Sequence, residues 1–141
     1  VRHAVEKQLR DVGGLSYVQF QLLARLSEAP DYSRTMTDLA DGVVYSRSGP
    51  TYQARTLEER RLVTRSTSVS DERSTIVTLT DGGRRVLSDV FPGHIDVVRG
   101  TLFAALKSDD IDALADILGR AVEHVRLTPP RSVGPRKRKK V

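Results

Sequence analysis

The chain has 141 residues, with no cysteine, no tryptophan, one methionine, four tyrosines and three phenylalanines. Without cysteine there is no disulfide, no thiolate metal site and no thiol-based redox switch. With so few aromatics, a core must rest on leucine, valine, isoleucine and alanine. No run of about 18 apolar residues occurs, which excludes a helical membrane span. The opening VRHAVEKQLR lacks the apolar centre of a signal peptide, so a soluble protein of the cytoplasm is expected. His3, His94 and His124 are far apart and show no metal-ligand spacing. Glycine-rich phosphate loops and Ser/His/Asp groupings are missing too, so no cofactor, no metal and no enzymatic activity are expected. The length suits one domain, or a domain with helical arms, and suffices to bury a real core.

The net charge of +5 is unevenly spread. Residues 131–141, RSVGPRKRKKV, carry six cations and no acid, which leaves the body at seventeen cations against eighteen acids. Within that body only residues 46–85 are basic, with eight cations against five acids, and all eight are arginine. Arginine presents a planar fork of donors that matches phosphate and the guanine edge, so the bias points to a polyanion. A solvated arginine-rich face would carry the same charge.

Hydrophobic spacing organises the rest. From Ser16, a plausible cap, Phe20, Leu23, Ala24 and Leu26 recur at helical intervals. APDYSR then reads as a broken loop. TMTDLADGVVYS follows as a short helix capped by Thr35 or Thr37, with Met36, Leu39, Ala40 and Val43 inward. In SRSGPTYQARTLEERRLVTR a second helix begins at Arg47 or Gly49, with Pro50 in or just past its first turn. Pro50, Ala54 and Leu57 share one stripe of it, whereas Arg47, Ser48, Thr51, Tyr52 and Arg55 point elsewhere. Two short helices joined by a tight turn outline a helix-turn-helix, whose second helix docks its first turns in a major groove. The plain alternative is a capped surface helix with Glu58, Glu59 and Arg60 solvated at its end. The β-rich runs Leu62 to Ser66 and Thr75 to Leu79 flank the polar tip VSDERS and predict a hairpin. A basic hairpin after a helix-turn-helix makes a winged helix, with Arg73 able to enter a minor groove. Asp71 would then either orient an arginine or shape the turn.

LADGVVYSRSGPTYQARTLEERRLVTR, followed by SDERSTIVTLTDGGRRVL, resembles the MarR family of bacterial transcription regulators, and the resemblance covers roughly residues 15–126. Its most specific elements are S-R-S-x-x-T, D-E-R-S-T and L-T-D-x-G-R. The resemblance implies a mainly α fold with a small β-hairpin wing: a winged helix-turn-helix domain plus N- and C-terminal dimerisation helices. It also implies a homodimer on pseudo-palindromic double-stranded DNA, usually a repressor, released by a small and often phenolic compound. Carried over by position, Ser46, Arg47, Ser48, Thr51 and Arg55 would face the major groove, with Tyr52 beside them. Arg73 would face the minor groove, and Asp71 would brace the wing tip that includes Ser74. Arg61 departs from the family's usual glycine in the turn before the wing, which implies a differently shaped turn. The chain opens inside what the resemblance makes the first dimerisation helix.

Residues 1–15 form the expected N-terminal dimerisation arm, 16–85 the DNA-binding domain, 86–127 the C-terminal dimerisation helices and 128–141 a disordered basic tail. The tail would add non-specific DNA affinity or only solubility. A helix from Thr80 and Asp81 toward Leu106, about 25 residues or on the order of 37 Å, should kink or break at Phe91-Pro92-Gly93. Ser108 should cap the last helix, whose Ile111, Leu114, Ile117, Leu118, Ala121, Val122 and Val125 make a wide apolar face. That face is buried within the chain or, as expected here, shared with a second copy together with His3, Ala4, Val5 and Leu9 in an isologous interface. An effector pocket is expected near Tyr17, Phe20, Phe91 and His94, the aromatics nearest the expected junction. A non-specific architectural DNA binder is the alternative to a sequence-specific regulator.

Overall fold

A computed structural model describes residues 1–43 and 49–127. Ser46, Arg47, Ser48 and the basic tail lie outside the described residues. The chain forms two compact units, Val1–Leu102 and Phe103–Val141.

In the first unit α1 (Arg2–Gly13) leads into α2 (Tyr17–Ser27), a strand β1 (Ser33–Thr35), α3 (Met36–Asp41), α4 (Pro50–Glu59), the strands β2 (Val63–Thr67) and β3 (Thr75–Leu79), and α5 (Asp81–Val98). Each helix start has a local cause. Ser16 caps α2 with a complete capping box: its hydroxyl accepts from the Gln19 N–H, and the Gln19 side chain accepts from the Ser16 N–H. Thr35 caps α3 by accepting from the Asp38 N–H, and Thr80 caps α5 by accepting from the Gly83 N–H. The leucines Leu9, Leu15, Leu22, Leu23, Leu26, Leu39 and Leu57, with Val63, Val77 and Val90, are fully buried in one core. Burying each such side chain is worth about 1.5–3 kcal/mol, so an aliphatic core suffices without tryptophan.

The sheet has three strands in the order β1-β3-β2, all antiparallel. The hairpin pairs Val63 with Leu79 and Thr67 with Thr75. The stretch expected to be a broken loop supplies the third strand, Ser33 pairing with Thr78 and Thr35 with Ile76, and the Ser33 and Thr78 hydroxyls meet at 2.7 Å. A three-residue strand has too few positions to display alternation; only its partner 45 residues away defines it. Just before it Asp31 and Tyr32 both take left-handed backbone angles, φ 53° and 55°. The Tyr32 ring lies under the Arg84 guanidinium, 4.7 Å from its carbon to the ring centre.

Three further expectations are corrected in the helices. First, α5 runs without a break from Asp81 through Pro92 to Val98, then passes into a π-turn, Arg99–Phe103. Its 18 residues span about 27 Å. Proline removes one N–H, so the carbonyl of the exposed Ser88 loses its helical donor, and packing by α1 holds the helix on both sides of it. The Gln8 amide donates to the Val90 carbonyl at 3.1 Å, and a Cβ on Gly93 would come within 2.5 Å of Gln8 Nε2. Second, Val5 and Leu9 face the chain's own core, with Gly13 set against Val86 and Val90, so they are not available to a partner.

The third correction concerns the second unit, which contains α6 (Ser108–Leu127). Lys107, not Ser108, occupies the cap: its carbonyl accepts from the Ile111 N–H, and its own N–H donates to the Asp110 carboxylate at 2.9 Å. No side chain of α6 is buried, and Leu114, Ile117, Leu118, Val122 and Val125 are exposed along it. Among the described residues no helix is long and apolar enough to cross a membrane.

Candidate nucleic-acid interface

α4 is organised by what its inner face buries. Gly49 is the cap and Pro50 the first helical residue, where the missing N–H costs nothing. Gln53, Ala54 and Leu57 are buried, while Thr51, Tyr52 and Arg55 are exposed and Pro50 is half-buried. The outward face thus offers a hydroxyl, a phenol and a guanidinium within the first two turns. Among the described residues Arg55 has a single loose pairing, 3.4 Å to the exposed Glu59, which leaves its donors open to other acceptors.

Two anchors fix this helix. Within the core the Gln19 amide donates to Gln53 Oε1 at 2.9 Å, so the residue that completes the capping box of α2 also holds the middle of α4. At the end of α4 Arg60 donates from its two terminal nitrogens to the carbonyls of Gly13 and Gly14, both at 2.9 Å. The helix closes in a Schellman motif: the Leu62 N–H donates to Leu57, the Arg61 N–H donates to Glu58, and Arg61 takes φ 59°. Leu57 and Leu62 are buried as the apolar pair of that motif. The turn in which arginine replaces the family's glycine therefore keeps a left-handed backbone, contrary to the different shape expected. Arginine holds it at a cost of about 1–2 kcal/mol, and the Thr80 hydroxyl bonds the Arg61 carbonyl at 2.7 Å.

The wing is tied to α4 at its base. Glu58 accepts from the Arg65 N–H at 3.2 Å and from the Arg65 guanidinium at 2.7 Å. Glu58 and Arg60 thus hold structure even though Arg60 remains exposed, and Arg60 and Arg65 are both engaged with protein groups. Arg84 is likewise engaged, by Tyr32 and by Asp81 at 3.6 Å. The basic surplus of residues 46–85 overstates the charge open to a polyanion. At the tip Asp71 shapes the turn. Its carboxylate accepts from the Arg73 N–H and from the Ser74 hydroxyl, each at 3.0 Å, and its carbonyl accepts from the Ser74 N–H at 3.0 Å. Arg73 itself is exposed.

Of the four expected pocket residues, three meet. Phe20 lies 4.5 Å from His94 and 6.4 Å from Phe91 between ring centres, and Phe91 and His94 are 6.5 Å apart. Burial holds the His94 imidazole below its ordinary pKa, and its enclosed Nδ1 has no hydrogen-bond partner among the described residues. Phe91 also borders an open groove of about 920 Å³ with Tyr32, Arg84, Arg85, Leu87 and Ile95. Tyr17 stands apart, on a cleft of about 340 Å³ with Glu6, Arg10 and Gly14. Sequence reasoning missed Gln19, Gln53, Glu58, Arg60 and Arg65 as the groups that hold helix and wing. Their one local signal is the S-x-x-Q spacing of Ser16 and Gln19, because the other pairings join residues from different elements.

A helix with an outward polar face, locked from behind and followed by a hairpin with an exposed arginine at its tip, defines a winged-helix DNA-binding protein. Residues 13–74 match the sequence model of the MarR family. The HTH-type transcriptional regulator MhqR of Bacillus subtilis (strain 168) is 25% identical over 107 residues, 76% of this chain and 72% of that protein. Sco3205 of Streptomyces coelicolor, a MarR family transcriptional regulator whose crystal structure is in complex with DNA, is 31% identical, with a TM-score of 0.76 over 88% of this chain and 78% of that one. AbsC, a MarR family regulator of the same organism, is also 31% identical, with a TM-score of 0.74 over 89% and 84%. The chain belongs to the MarR family of DNA-binding transcriptional regulators.

Proposed function

We propose that the protein is a cytoplasmic, sequence-specific repressor that binds a pseudo-palindromic operator as a homodimer and is released by a small aromatic effector. The observation that carries the reading is α4, which keeps Thr51, Tyr52 and Arg55 outward while Gln53, Ala54 and Leu57 hold it from behind. In this reading Thr51 and Arg55 meet base edges together with Ser46, Arg47 and Ser48, and Tyr52 packs beside them. Arg73 enters the flanking minor groove from a tip that Asp71 and Ser74 keep in shape. The uncovered apolar stripe of α6 supports a second copy, since a contiguous exposed stripe of this kind marks an interaction face. Two recognition helices about 34 Å apart then read one palindrome. The effector would sit against Phe20, Phe91 and His94, the three aromatic rings that come together; Tyr17 is not part of that cluster. Selection of bound fragments from the parent genome, followed by affinity measurement at moderate salt, tests the reading. Inverted half-sites about one helical turn apart, preferred at least a thousandfold over random duplex, are expected. A ratio near unity would instead identify an architectural DNA binder.

A further inference from the structure

We propose that Arg60 is a positioning residue of the DNA-reading unit, its guanidinium fork setting the attitude of α4 against the end of α1. The two carbonyls it binds, those of Gly13 and Gly14, close α1, where the chain turns through the left-handed Gly14 at φ 61°. Helix-terminal carbonyls lack helical donors and carry the negative end of the dipole, so a cation with two parallel N–H groups fits them. The second anchor, Gln19 to Gln53, springs from the same corner, so residues 13–19 grip α4 at two points. Gln53 and Arg60 are seven residues apart, about 10 Å along the helix. Ala54 and Leu57 in the core and Glu58 against Arg65 hold α4 to α2 and the wing, and among the described residues the Arg60 fork alone ties its C-terminal end to the end of α1, so losing the fork lets that end shift. A side chain reaching about 6 Å from the axis moves about 1 Å for a 10° rotation, which is enough to take a 2.9 Å hydrogen bond past 3.5 Å. Arg60 therefore governs discrimination between base sequences without touching a base.

The inference rests on sequence-specific binding, and its test separates the two. A randomised duplex library and the duplex most enriched from it by the parent protein are the probes. If the parent enriches nothing, the functional reading fails. If the parent discriminates, the variants R60A and R60K decide the role of Arg60. Positioning predicts that R60A lowers the ratio of preferred to random affinity about tenfold, the effect of losing one charge-assisted pair. The slope of log affinity against log salt stays at the parent value, and R60K shows the same loss because one ammonium cannot reproduce the fork. Circular dichroism under the binding conditions shows which variants are folded; R60K carries the test if R60A is not. An unchanged ratio in the folded variants, a salt slope shallower by about 0.9 as for one lost phosphate contact, or rescue by lysine would overturn the proposal.

Discussion

Gln19 donates to Gln53 across the interior between α2 and α4 at 2.9 Å, while its own backbone N–H and side-chain oxygen complete the capping box with Ser16. One glutamine thus starts one helix and fixes the next, so its loss should reach further than loss of the cap. Ser16→Ala removes only the hydroxyl and should cost about 1 kcal/mol. Gln19→Leu removes both its side-chain bond to the Ser16 N–H and its buried bond to Gln53 and should cost about 2–3 kcal/mol. Urea denaturation of both variants checks the order; equal losses would show that the Gln19–Gln53 bond contributes nothing.

Arg61 holds a left-handed conformation in which an L side chain is disfavoured. Arg61→Gly should stabilise the protein by about 0.5–1 kcal/mol, the relief of strain less the extra entropy of an unfolded glycine. The Thr80 hydroxyl bonds the backbone of residue 61, so that contact survives the change. A lower urea midpoint for the variant would mean that the arginine side chain stabilises the fold in some other way.

His94, packed against Phe20, has its pKa held down by desolvation. A depressed histidine stays neutral in the fold while the unfolded chain protonates first. Its contribution is therefore intact above about pH 6.5 and declines as pH falls from there toward the folded value. His94→Phe should flatten the stability profile between about pH 7 and 5 relative to the parent. Parallel profiles for the two proteins would assign the pH dependence to other groups.

Arg73 and the outward face of α4 should fail differently when altered. With Arg73 in the minor groove, as proposed, Arg73→Ala should weaken binding to most sequences to a similar degree, whereas Thr51→Ala or Arg55→Ala should change which bases are preferred, each by about 1–3 kcal/mol at its own position. Binding selection on random duplexes reads both effects. Base-preference profiles of the α4 variants that superimpose on the parent's would place the reading face elsewhere on the helix.

Sequence by itself determined the elements whose signals are local. Ser16 and Thr80 announce helix starts because a capping hydroxyl reaches only three residues ahead, while the choice between Thr35 and Thr37 fell to Thr35 in the structure. The hairpin around Asp71 and the outward set Thr51, Tyr52 and Arg55 follow from periods of two and 3.6 residues. Tertiary structure alone decided what depends on partners far along the chain. It made a strand of Ser33–Thr35 by pairing it with β3, carried α5 through Pro92 under the cover of α1, and turned Val5 and Leu9 into the chain's own core. It also divided the arginines, engaging Arg60 with Gly13 and Gly14 and Arg65 with Glu58 while leaving Arg73 exposed. A guanidinium looks the same in sequence whichever it meets, and only the approach of an acceptor from another element decides whether it holds the protein together or stays open to DNA.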